Sequence, residues 1–192
     1  MKRVEDLFLR YGMKSLTMDD VARELGISKK TLYQFVDSKD DLVLKVMERH
    51  IEEDCSQAEA LRAEATDAVD EILKVIQYNA VDLGRIKSNI VFEMQRYYPA
   101  AWEKMETFTW EYMYKIVVEN LEWGIREGLY RDDFDADIVA RLHIGSMLQL
   151  FDERVFPKPP YSLEKLFKEF MQHYLYGIVS EKGFKTLKAK LS

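Results

Sequence analysis

The sequence predicts an all-α protein in which a small three-helix module precedes a larger helical domain. Apolar residues recur at the 3.6-residue spacing of amphipathic helices along almost the whole chain. Hydroxyl and carboxylate side chains stand where these helices would begin, and glycines stand where several would end. No segment shows the alternation of a β-strand, and no internal repeat is found. We place the module at residues 1–47 and the larger domain at residues 48–192.

The composition is typical of a folded helical protein. Of the 192 residues, 47% are hydrophobic, 32% are charged and four are proline, which argues against disorder. The single cysteine, Cys55, cannot form an internal disulfide, and no apolar leader precedes the first predicted helix. No stretch approaches the ~20 apolar residues that a membrane span needs. These features favour a cytoplasmic protein that does not enter a membrane.

The net charge of −6 is unevenly distributed along the chain. Residues 1–50 carry ten Lys and Arg against nine Asp and Glu, whereas residues 51–192 carry eighteen against twenty-five. A module this mildly basic would bind nucleic acid weakly if it relied on counterion release alone. Two copies acting on one duplex would strengthen such binding.

The first predicted helix supports the two that follow it. It ends at Gly12, and its apolar stripe consists of Val4, Leu7, Phe8 and Tyr11. This stripe is expected to pack beneath the rest of the module.

The next segment predicts a helix-turn-helix. Thr17 and Asp20 have the spacing of a capping box at the start of a short helix, and Gly26 suits its end. Ser28 is expected to cap a second helix, Lys29 to Val36. The inward face of that helix is expected to consist of Leu32, Phe35 and Val36, and the outward face of Lys29, Lys30, Thr31, Tyr33 and Gln34. Polar and basic side chains on the outward face favour contact with a nucleic-acid groove.

Positions from Phe8 to Met47 match a known family pattern, among them Gly12, the turn Leu25 to Ser28 and the trio Thr31 to Tyr33. Through them the chain resembles the tetracycline-repressor (TetR) family of transcription regulators. The alternative is a plain three-helix packing unit, which the two adjacent outward lysines disfavour. The rest of the chain resembles that family in layout only.

The resemblance implies a module that binds duplex DNA and names the side chains that would touch it. Lys29, Lys30, Thr31 and Gln34 would approach base edges. Phosphates would be held by Thr17, Tyr33 and Lys39, the last of which stands at the start of a helix capped by Ser38. The full set of candidate DNA contacts is Thr17, Ser28, Lys29, Lys30, Thr31, Tyr33, Gln34 and Lys39.

Helices of the larger domain are predicted from the same signals. Thr66 is expected to cap one of them, and Asp135 and Ser162 two others. The predicted ranges are Lys39 to Ala65, Thr66 to Leu83, Ser88 to Tyr97, Pro99 to Glu127, Ala136 to Arg154, Ser162 to Ser180 and Phe184 to Leu191.

The helix Pro99 to Glu127 is predicted to carry one face dense in aromatic and methionine side chains. Thr109 and Asn120 are polar groups on that face, and Glu106 lies at its margin. Core packing is one interpretation; a pocket for a small apolar or aromatic ligand is the other, which draws mainly on the family resemblance. The candidate ligand-binding residues are Phe92, Trp102, Met105, Glu106, Thr109, Tyr112, Met113, Asn120, Trp123 and Met147.

Two helices, Ala136 to Arg154 and Ser162 to Ser180, carry more apolar surface than one chain can cover. We expect them to pair with their symmetry mates as a four-helix bundle. The resulting homodimer would require a palindromic operator. The candidate interface residues are Ile138, Leu142, Gly145, Ser146, Gln149, Phe167, Phe170, Met171, Tyr174 and Ile178.

Catalytic and metal-binding motifs are not found in the sequence. It has no phosphate-cradling glycine loop or nucleophile elbow, and its three histidines lack ligand partners at helical spacing. No metal, cofactor or enzymatic activity is expected. Three functions remain: a repressor released from its operator by a ligand, a DNA-binding regulator that acts through a protein partner instead, and a helical enzyme that merely contains a similar motif.

Overall fold

Helices build the whole fold in the part of the chain that is described. The computed structural model describes residues 1–83, 89–157 and 159–191, without the side chains of residues 80–82. An isolated antiparallel bridge joins Tyr130 and Val179. The helices are α1 (Lys2–Tyr11), α2 (Met18–Leu25), α3 (Lys29–Leu32), α4 (Lys39–Glu64), α5 (Ala68–Leu83), α6 (Ile90–Tyr97), α7 (Pro99–Thr107), α8 (Tyr114–Arg126), α9 (Ala136–Gln149), α10 (Leu163–Ile178) and α11 (Glu181–Leu191). The predicted all-α class is confirmed.

One hydrophobic core joins the amino-terminal module to α4, α6 and α7. Val4, Leu7 and Phe8 of α1 are buried in it, and Gly12 ends that helix with a φ of 86°. Tyr11 was expected on the same face but is 47% exposed. Met13 of the following turn fills the core at that end instead, with 3% of its surface exposed.

A second core lies among α5, α8, α9, α10 and α11. Leu121 of α8 and Leu187 of α11 are almost completely buried in it. The long helix α4 contributes Leu42, Val43 and Val46 to the first core, and its later turns pack against α5 and α7. This helix therefore runs from the module into the larger domain.

Several predicted boundaries differ from the observed ones; for example, α10 ends at Ile178 and not at Ser180, and α11 begins at Glu181 and not at Phe184. Helix α5 begins at Ala68 because Asp67, not Thr66, accepts the capping hydrogen bond from the Asp70 N–H at 2.9 Å. Helix α9 ends at Gln149, five residues before Arg154, because Asp152 accepts the Arg154 N–H at 2.9 Å in a tight turn. The predicted helix start at Ser88 lies outside the described residues.

The predicted helix Pro99 to Glu127 is continuous but not uniform. A π-helical segment, Phe108–Met113, separates α7 from α8. Gly128 follows in the left-handed conformation, as predicted, with a φ of 68°. Because a π turn holds an extra residue, side chains after it are rotated relative to the faces of a regular helix. None of the described helices is long and apolar enough to cross a membrane.

Candidate functional site

The helix-turn-helix is held by reciprocal caps, as its sequence predicts. The Asp20 N–H donates to Thr17 Oγ1 at 3.1 Å, and the Thr17 N–H donates to Asp20 Oδ2 at 3.0 Å. The Thr17 hydroxyl also donates to that carboxylate, and these bonds lower the pKa of Asp20 to about 2. Gly26 ends α2 in the left-handed conformation, with a φ of 70°. The turn into the next helix is therefore fixed by local hydrogen bonds.

The recognition segment, which we define as Ser28 to Phe35, is shorter as an α-helix than predicted. Helix α3 covers Lys29–Leu32, and the following N–H groups of Gln34 and Phe35 bond three residues back, to Thr31 and Leu32. The segment thus tightens from α-helical to 3₁₀-type bonding. Ser28 caps it by accepting the Thr31 N–H at 3.0 Å.

Most of the predicted DNA contacts lie together on the surface of this segment. Exposed side chains belong to Ser28, Lys29, Lys30, Tyr33 and Gln34, and Thr31 is half-buried. Thr17 is exposed at the start of α2.

The two adjacent lysines of the segment are not equivalent. Lys29 Nζ lies 3.0 Å from Asp19 Oδ2, and this hydrogen bond raises the pKa of Lys29. Lys30 has no ion pair among the described residues. To bind a phosphate or a base, Lys29 must therefore give up its ion pair with Asp19, whereas Lys30 has no ion pair to give up among the described residues.

Phe35 lies on the opposite side from the one predicted. It was expected to face inward with Leu32 and Val36, but 67% of its surface is exposed, whereas those of Leu32 and Val36 are 4% and 2% exposed. The chain leaves the helix after the tightened turn, so that Val36 alone fills the core position. Sequence spacing could not decide which of the two adjacent apolar residues would be buried.

Lys39 is half-buried behind the recognition segment. Its ammonium donates to the Lys14 carbonyl at 3.2 Å and lies 5.9 Å from the centre of the Tyr98 ring. Burial lowers the pKa of Lys39. The predicted phosphate contact would therefore require this side chain to leave the Lys14 carbonyl.

Helix α6 holds the turn between α1 and α2, a contact that sequence reasoning missed. Glu93 is 8% exposed and accepts the Lys14 N–H at 3.0 Å and the Asn89 side-chain amide at 3.0 Å. The Tyr98 hydroxyl donates to the Met13 carbonyl at 3.4 Å. The available signal in the sequence was a glutamate among the apolar residues of a short helix. If such a side chain is buried, it needs hydrogen-bond partners from elsewhere in the chain.

Gly12 is part of the same contact. A Cβ atom at this position would lie 3.1 Å from Glu93 Oε2, and its φ of 86° disfavours other residues. We call the turn from Gly12 to Lys14, together with the α6 side chains that hold it, the α6 clamp. It is a direct mechanical connection between the larger domain and the helix-turn-helix.

The predicted ligand-binding face is divided between the two cores. Trp102 and Met105 pack against the first core, whereas Trp123 and Met147 pack against the second. Trp102 and Trp123 lie at opposite ends of the helix Pro99 to Glu127, about 31 Å apart at 1.5 Å per residue, and Met147 belongs to α9. Phe92, at 60% exposure, and Glu106 point to solvent, and Thr109 and Met113 are half-buried.

Asn120 has a structural role instead of the expected ligand-orienting one. It is 4% exposed, and its side-chain amide donates to the Ala68 carbonyl at 3.0 Å and to Glu71 at 2.6 Å. The Tyr130 hydroxyl lies 3.0 Å from its Oδ1. These bonds hold α8 against the start of α5. They occupy both the amide nitrogen and the amide oxygen of Asn120.

The described residues form a cavity of about 200 Å³ between α4, α5, the π-helical segment and α8. Tyr112 is the one predicted ligand-binding residue that lines it. Its hydroxyl donates to the Cys55 carbonyl at 3.1 Å, which fixes the ring against α4. The lining residues are Ala58, Glu59, Arg62, Glu71, Tyr112, Lys115, Ile116 and Glu119.

Two ion pairs line this cavity. Arg62 Nη1 lies 2.7 Å from the buried Glu71, and its guanidinium lies 4.4 Å from the centre of the Trp123 ring. At the rim, Lys115 lies 3.7 Å from Glu119. Trp123 is therefore close enough to report on events in the cavity.

Of the ten residues of the predicted dimer interface, four are exposed in the protomer, three are half-buried and three are buried. On α9, Ile138 and Leu142 are 56% and 63% exposed, Ser146 and Gln149 are exposed, and Gly145 is half-buried. We call these five residues the α9 face. Large apolar side chains this exposed are a typical mark of an interface.

On α10 the expectation fails for three residues. Phe167, Met171 and Ile178 are 6%, 3% and 3% exposed, because that side of α10 forms the second core of the same chain. Phe170 and Tyr174 are half-buried and stack on His143, with ring centres 5.0 and 4.0 Å away. The spacing of apolar residues predicted the apolar stripe of α10. It did not predict which residues of the stripe pack against the same chain and which remain available to a partner.

Histidines and acids do not form a metal centre in the described ranges, where no group of three or more His, Cys, Asp and Glu side chains could hold an ion. His143 is a core residue with 6% exposure, its Nδ1 is buried without a hydrogen-bond partner among the described residues, and burial lowers its pKa to about 4.

Comparison with protein families and known proteins agrees with this architecture. Residues 5–46 match the family of bacterial regulatory proteins named tetR. The chain is 23% identical over 176 residues to the uncharacterised HTH-type transcriptional regulator YvaF of Bacillus subtilis, covering 87% of each. It is 24% identical over 183 residues to the HTH-type transcriptional repressor KstR2 of Mycolicibacterium smegmatis, covering 93% of this chain and 88% of that one.

A solved structure extends the similarity of fold to nearly the whole chain. A protein from Saccharomonospora viridis, described as a transcriptional regulator in complex with choline, superposes with a TM-score of 0.76 at 19% identity. The alignment covers 94% of this chain and 95% of that one. At this identity the likeness establishes the shared fold.

Proposed function

We propose that this chain, a TetR-family transcriptional regulator, is a repressor that binds a palindromic operator as a homodimer and is released by a small ligand. The observation that carries the proposal is the recognition segment, an exposed polar and basic surface mounted on a buried three-helix core. Helices of this kind enter the major groove and present side chains to base edges. The likeness to relatives named as regulators and repressors supports regulation of transcription.

The DNA contacts that we propose follow from exposure. Lys30 and Gln34 are the best-placed side chains for base edges, because both are exposed and Lys30 has no ion pair in the described part of the chain. Thr17 and Tyr33 would contact phosphates. Lys29 would contact DNA after breaking its ion pair with Asp19. Lys39 would contact a phosphate after breaking its hydrogen bond to the Lys14 carbonyl.

Dimerisation through the α9 face supports a palindromic operator. Ile138 and Leu142 would be buried by a two-fold partner, and Gly145 would let the two copies of α9 approach closely. A two-fold dimer requires half-sites about one helical turn apart, ~34–36 Å, or a multiple of that distance.

The ligand would bind in the cavity beside Tyr112. Tyr112, Ala58 and Ile116 offer an apolar and aromatic wall, which suits a ligand with an apolar or aromatic body. The related regulator solved with choline supports a small organic ligand for this fold.

Helix α4 connects this cavity to the DNA-binding module, and a separate contact joins that module to α6. Helix α4 carries Glu59 and Arg62 in the cavity and begins at Lys39, directly after the recognition segment. The α6 clamp holds the turn in front of α2. A ligand will release DNA only if it prefers the arrangement in which the two recognition segments are wrongly spaced, since equal affinity for both arrangements shifts nothing.

One observation favours a second candidate, a regulator of the same fold that responds to a protein partner. The cavity of about 200 Å³ is smaller than the roughly 300–1,000 Å³ typical of ligand pockets. Release of the operator by a small molecule separates the two functions.

The test follows tryptophan fluorescence and operator release in one titration. Small apolar and aromatic compounds are screened for quenching of Trp123, which lies beside the cavity residue Arg62. A quenching compound should release a fluorescent operator duplex with the same concentration dependence. Tyr112→Leu should shift both curves together, and Tyr161→Leu, in the distant loop before α10, should shift neither. Quenching without any change in operator affinity would reject the ligand switch and favour the protein partner.

A further inference from the structure

The Phe35 ring is unusually exposed for a phenylalanine. Its 67% exposure is the largest among the large apolar side chains in the described residues. The ring has no stacking partner or cation above it within the described part of the chain. Removal of an exposed aromatic ring from water is favourable, so that this side chain would stabilise any complex that covers it.

The backbone beneath the ring is fixed on both sides. The Phe35 N–H donates to the Leu32 carbonyl at 3.0 Å, and its own carbonyl accepts a hydrogen bond from Lys45 Nζ at 2.9 Å. Lys45 is held in turn by Asp41 at 2.9 Å, and Val36 is anchored in the core. A rigid position lowers the entropy lost when the ring makes a contact.

The location of the ring favours DNA over another protein as its partner. Phe35 directly follows the exposed Tyr33 and Gln34 in the recognition segment, whose first turn presents Lys29 and Lys30. The α9 face, proposed above for dimerisation, lies in a different domain and rests on the other core. A groove that receives the exposed Gln34 would therefore bring DNA close to the Phe35 ring, which is the next residue in the chain and is also exposed.

The chemistry of the major groove then limits what the ring can contact. Base edges there present hydrogen-bond donors and acceptors, which a phenyl ring cannot use, and one apolar group, the C5-methyl of thymine. We propose that Phe35 selects a thymine in each operator half-site by packing against its methyl group. The inference rests on the DNA-binding function proposed above and adds a base identity that its polar side chains do not supply.

The test removes that methyl group alone. An operator is first selected from random duplexes with the full-length protein, and each thymine is then replaced by deoxyuridine. One thymine per half-site should be sensitive, with affinity falling about fourfold for one replacement and about fifteenfold for both, the effect of one buried methyl group each. Phe35→Ala should weaken operator binding and should bind the operator with deoxyuridine at that position as tightly as it binds the unmodified operator.

Controls separate the contact from its alternatives. Because Phe35 is exposed, Phe35→Ala should unfold at the same temperature as the wild type. Phe184→Ala, which removes a 43% exposed ring on α11, should leave the deoxyuridine profile unchanged.

Other outcomes would overturn the inference. If Phe35→Ala weakened operator and random duplex alike and kept the wild-type deoxyuridine profile, the ring would contact sugar and phosphate, and the proposed thymine contact would be wrong. Unchanged operator affinity would mean that the ring does not touch DNA. Failure of the wild type to select any sequence would instead reject the DNA-binding function itself.

Discussion

Gln34 is the exposed side chain best suited to read a base pair through two hydrogen bonds. An amide can both donate to and accept from adenine in the major groove. Gln34→Ala should therefore cost on the order of 1–3 kcal/mol of operator binding and relax the preference at one base pair. Competition against operators that carry each single base change would measure both effects.

A matched variant controls for the loss of an exposed glutamine. Gln77→Ala on α5 should leave operator affinity and base preference as they are, because that side chain is exposed far from the recognition segment in the chain. If Gln34→Ala weakened all duplexes equally, Gln34 would hold the backbone and would not read a base.

Asn120 is predicted to matter for folding, not for ligand binding. Asn120→Ala would remove one hydrogen bond each from the Ala68 carbonyl, Glu71 and the Tyr130 hydroxyl. The Tyr130 hydroxyl would still donate to the Ala68 carbonyl at 2.9 Å, and Arg62 would still pair with Glu71 at 2.7 Å. The expected loss is about 1–3 kcal/mol in the free energy of unfolding. Urea denaturation would measure it. Asn79→Ala is the control, since Asn79 bonds only to Val75 of its own helix among the described residues; an equal loss in both variants would contradict the role of the network.

Short-range signals explain which single residues could be predicted from the sequence. Thr17, Ser28 and Ser38 cap helices three residues away, and all three caps are observed. The partners of Asn120 lie 49 and 52 residues away along the chain, and no spacing rule reaches them. The exposure of Phe35 depends on where the chain leaves a helix, which is also set by tertiary packing.

Helices α1 and α4 are joined by a histidine between two carboxylates. His50 Nδ1 lies 2.7 Å from Glu5 Oε1, and its Nε2 lies 3.4 Å from Asp54 Oδ2. Burial lowers the pKa of His50, but the hydrogen bond with Glu5 and the nearby carboxylates outweigh it and leave the pKa raised. Arg49, Glu53 and Tyr78 also face this cluster.

The raised pKa predicts how stability depends on pH. Because the pKa of His50 is higher in the folded protein, protonated His50 stabilises the fold. This stabilisation is complete below the pKa of the unfolded state, near 6.5, and is lost as pH rises through the pKa of the folded state. The free energy of unfolding should therefore fall above about pH 6.5, and His50→Gln should flatten that fall. His143 has the opposite effect, because its pKa is lowered to about 4 and its contribution to stability grows as pH rises towards its unfolded value near 6.5. The fall due to His50 is therefore measured above the pH at which the unfolded His143 has lost its proton. Parallel pH profiles in wild type and His50→Gln would contradict the prediction.

The helix Pro99 to Glu127 marks the limit of periodicity arguments for whole elements. Its two ends were predicted, because Pro99 and Gly128 are local signals. The π-helical segment within it was not predicted. A face projected along the whole helix also joined side chains near its two ends, which belong to two different cores. Conversely, α4 was predicted almost to the residue, because a cap starts it and no breaker interrupts it.

The proposed dimer concerns the arrangement of the whole molecule, which the sequence specified only in part. Gly145 has open space around its Cβ position in the protomer. The protomer of the Gly145→Leu variant should therefore still fold. In the dimer the added side chain would obstruct the crossing of the two α9 helices, and association should weaken on the order of tenfold or more. Sedimentation equilibrium would measure this, with Ala189→Leu on α11 as the control. A wild type that is monomeric at micromolar concentration would contradict the α9 interface.

The apolar excess of α9 could be read from the sequence, whereas the assignment of α10 could not. Ile138 and Leu142 are exposed as expected, but the Phe167 side of α10 covers the second core of its own chain. Which of two apolar helices faces a partner depends on packing between elements far apart in the chain.

We propose that a two-fold dimer of this chain reads a specific duplex through its two recognition segments. The most direct measurement is the affinity of the wild-type protein for its selected operator and for random duplex over a range of salt concentrations, combined with footprinting. We expect operator affinity at least ~10³-fold above that for random duplex, and two protected half-sites ~34–36 Å apart or a multiple of that distance. Equal affinity for both duplexes at every salt concentration would contradict the account.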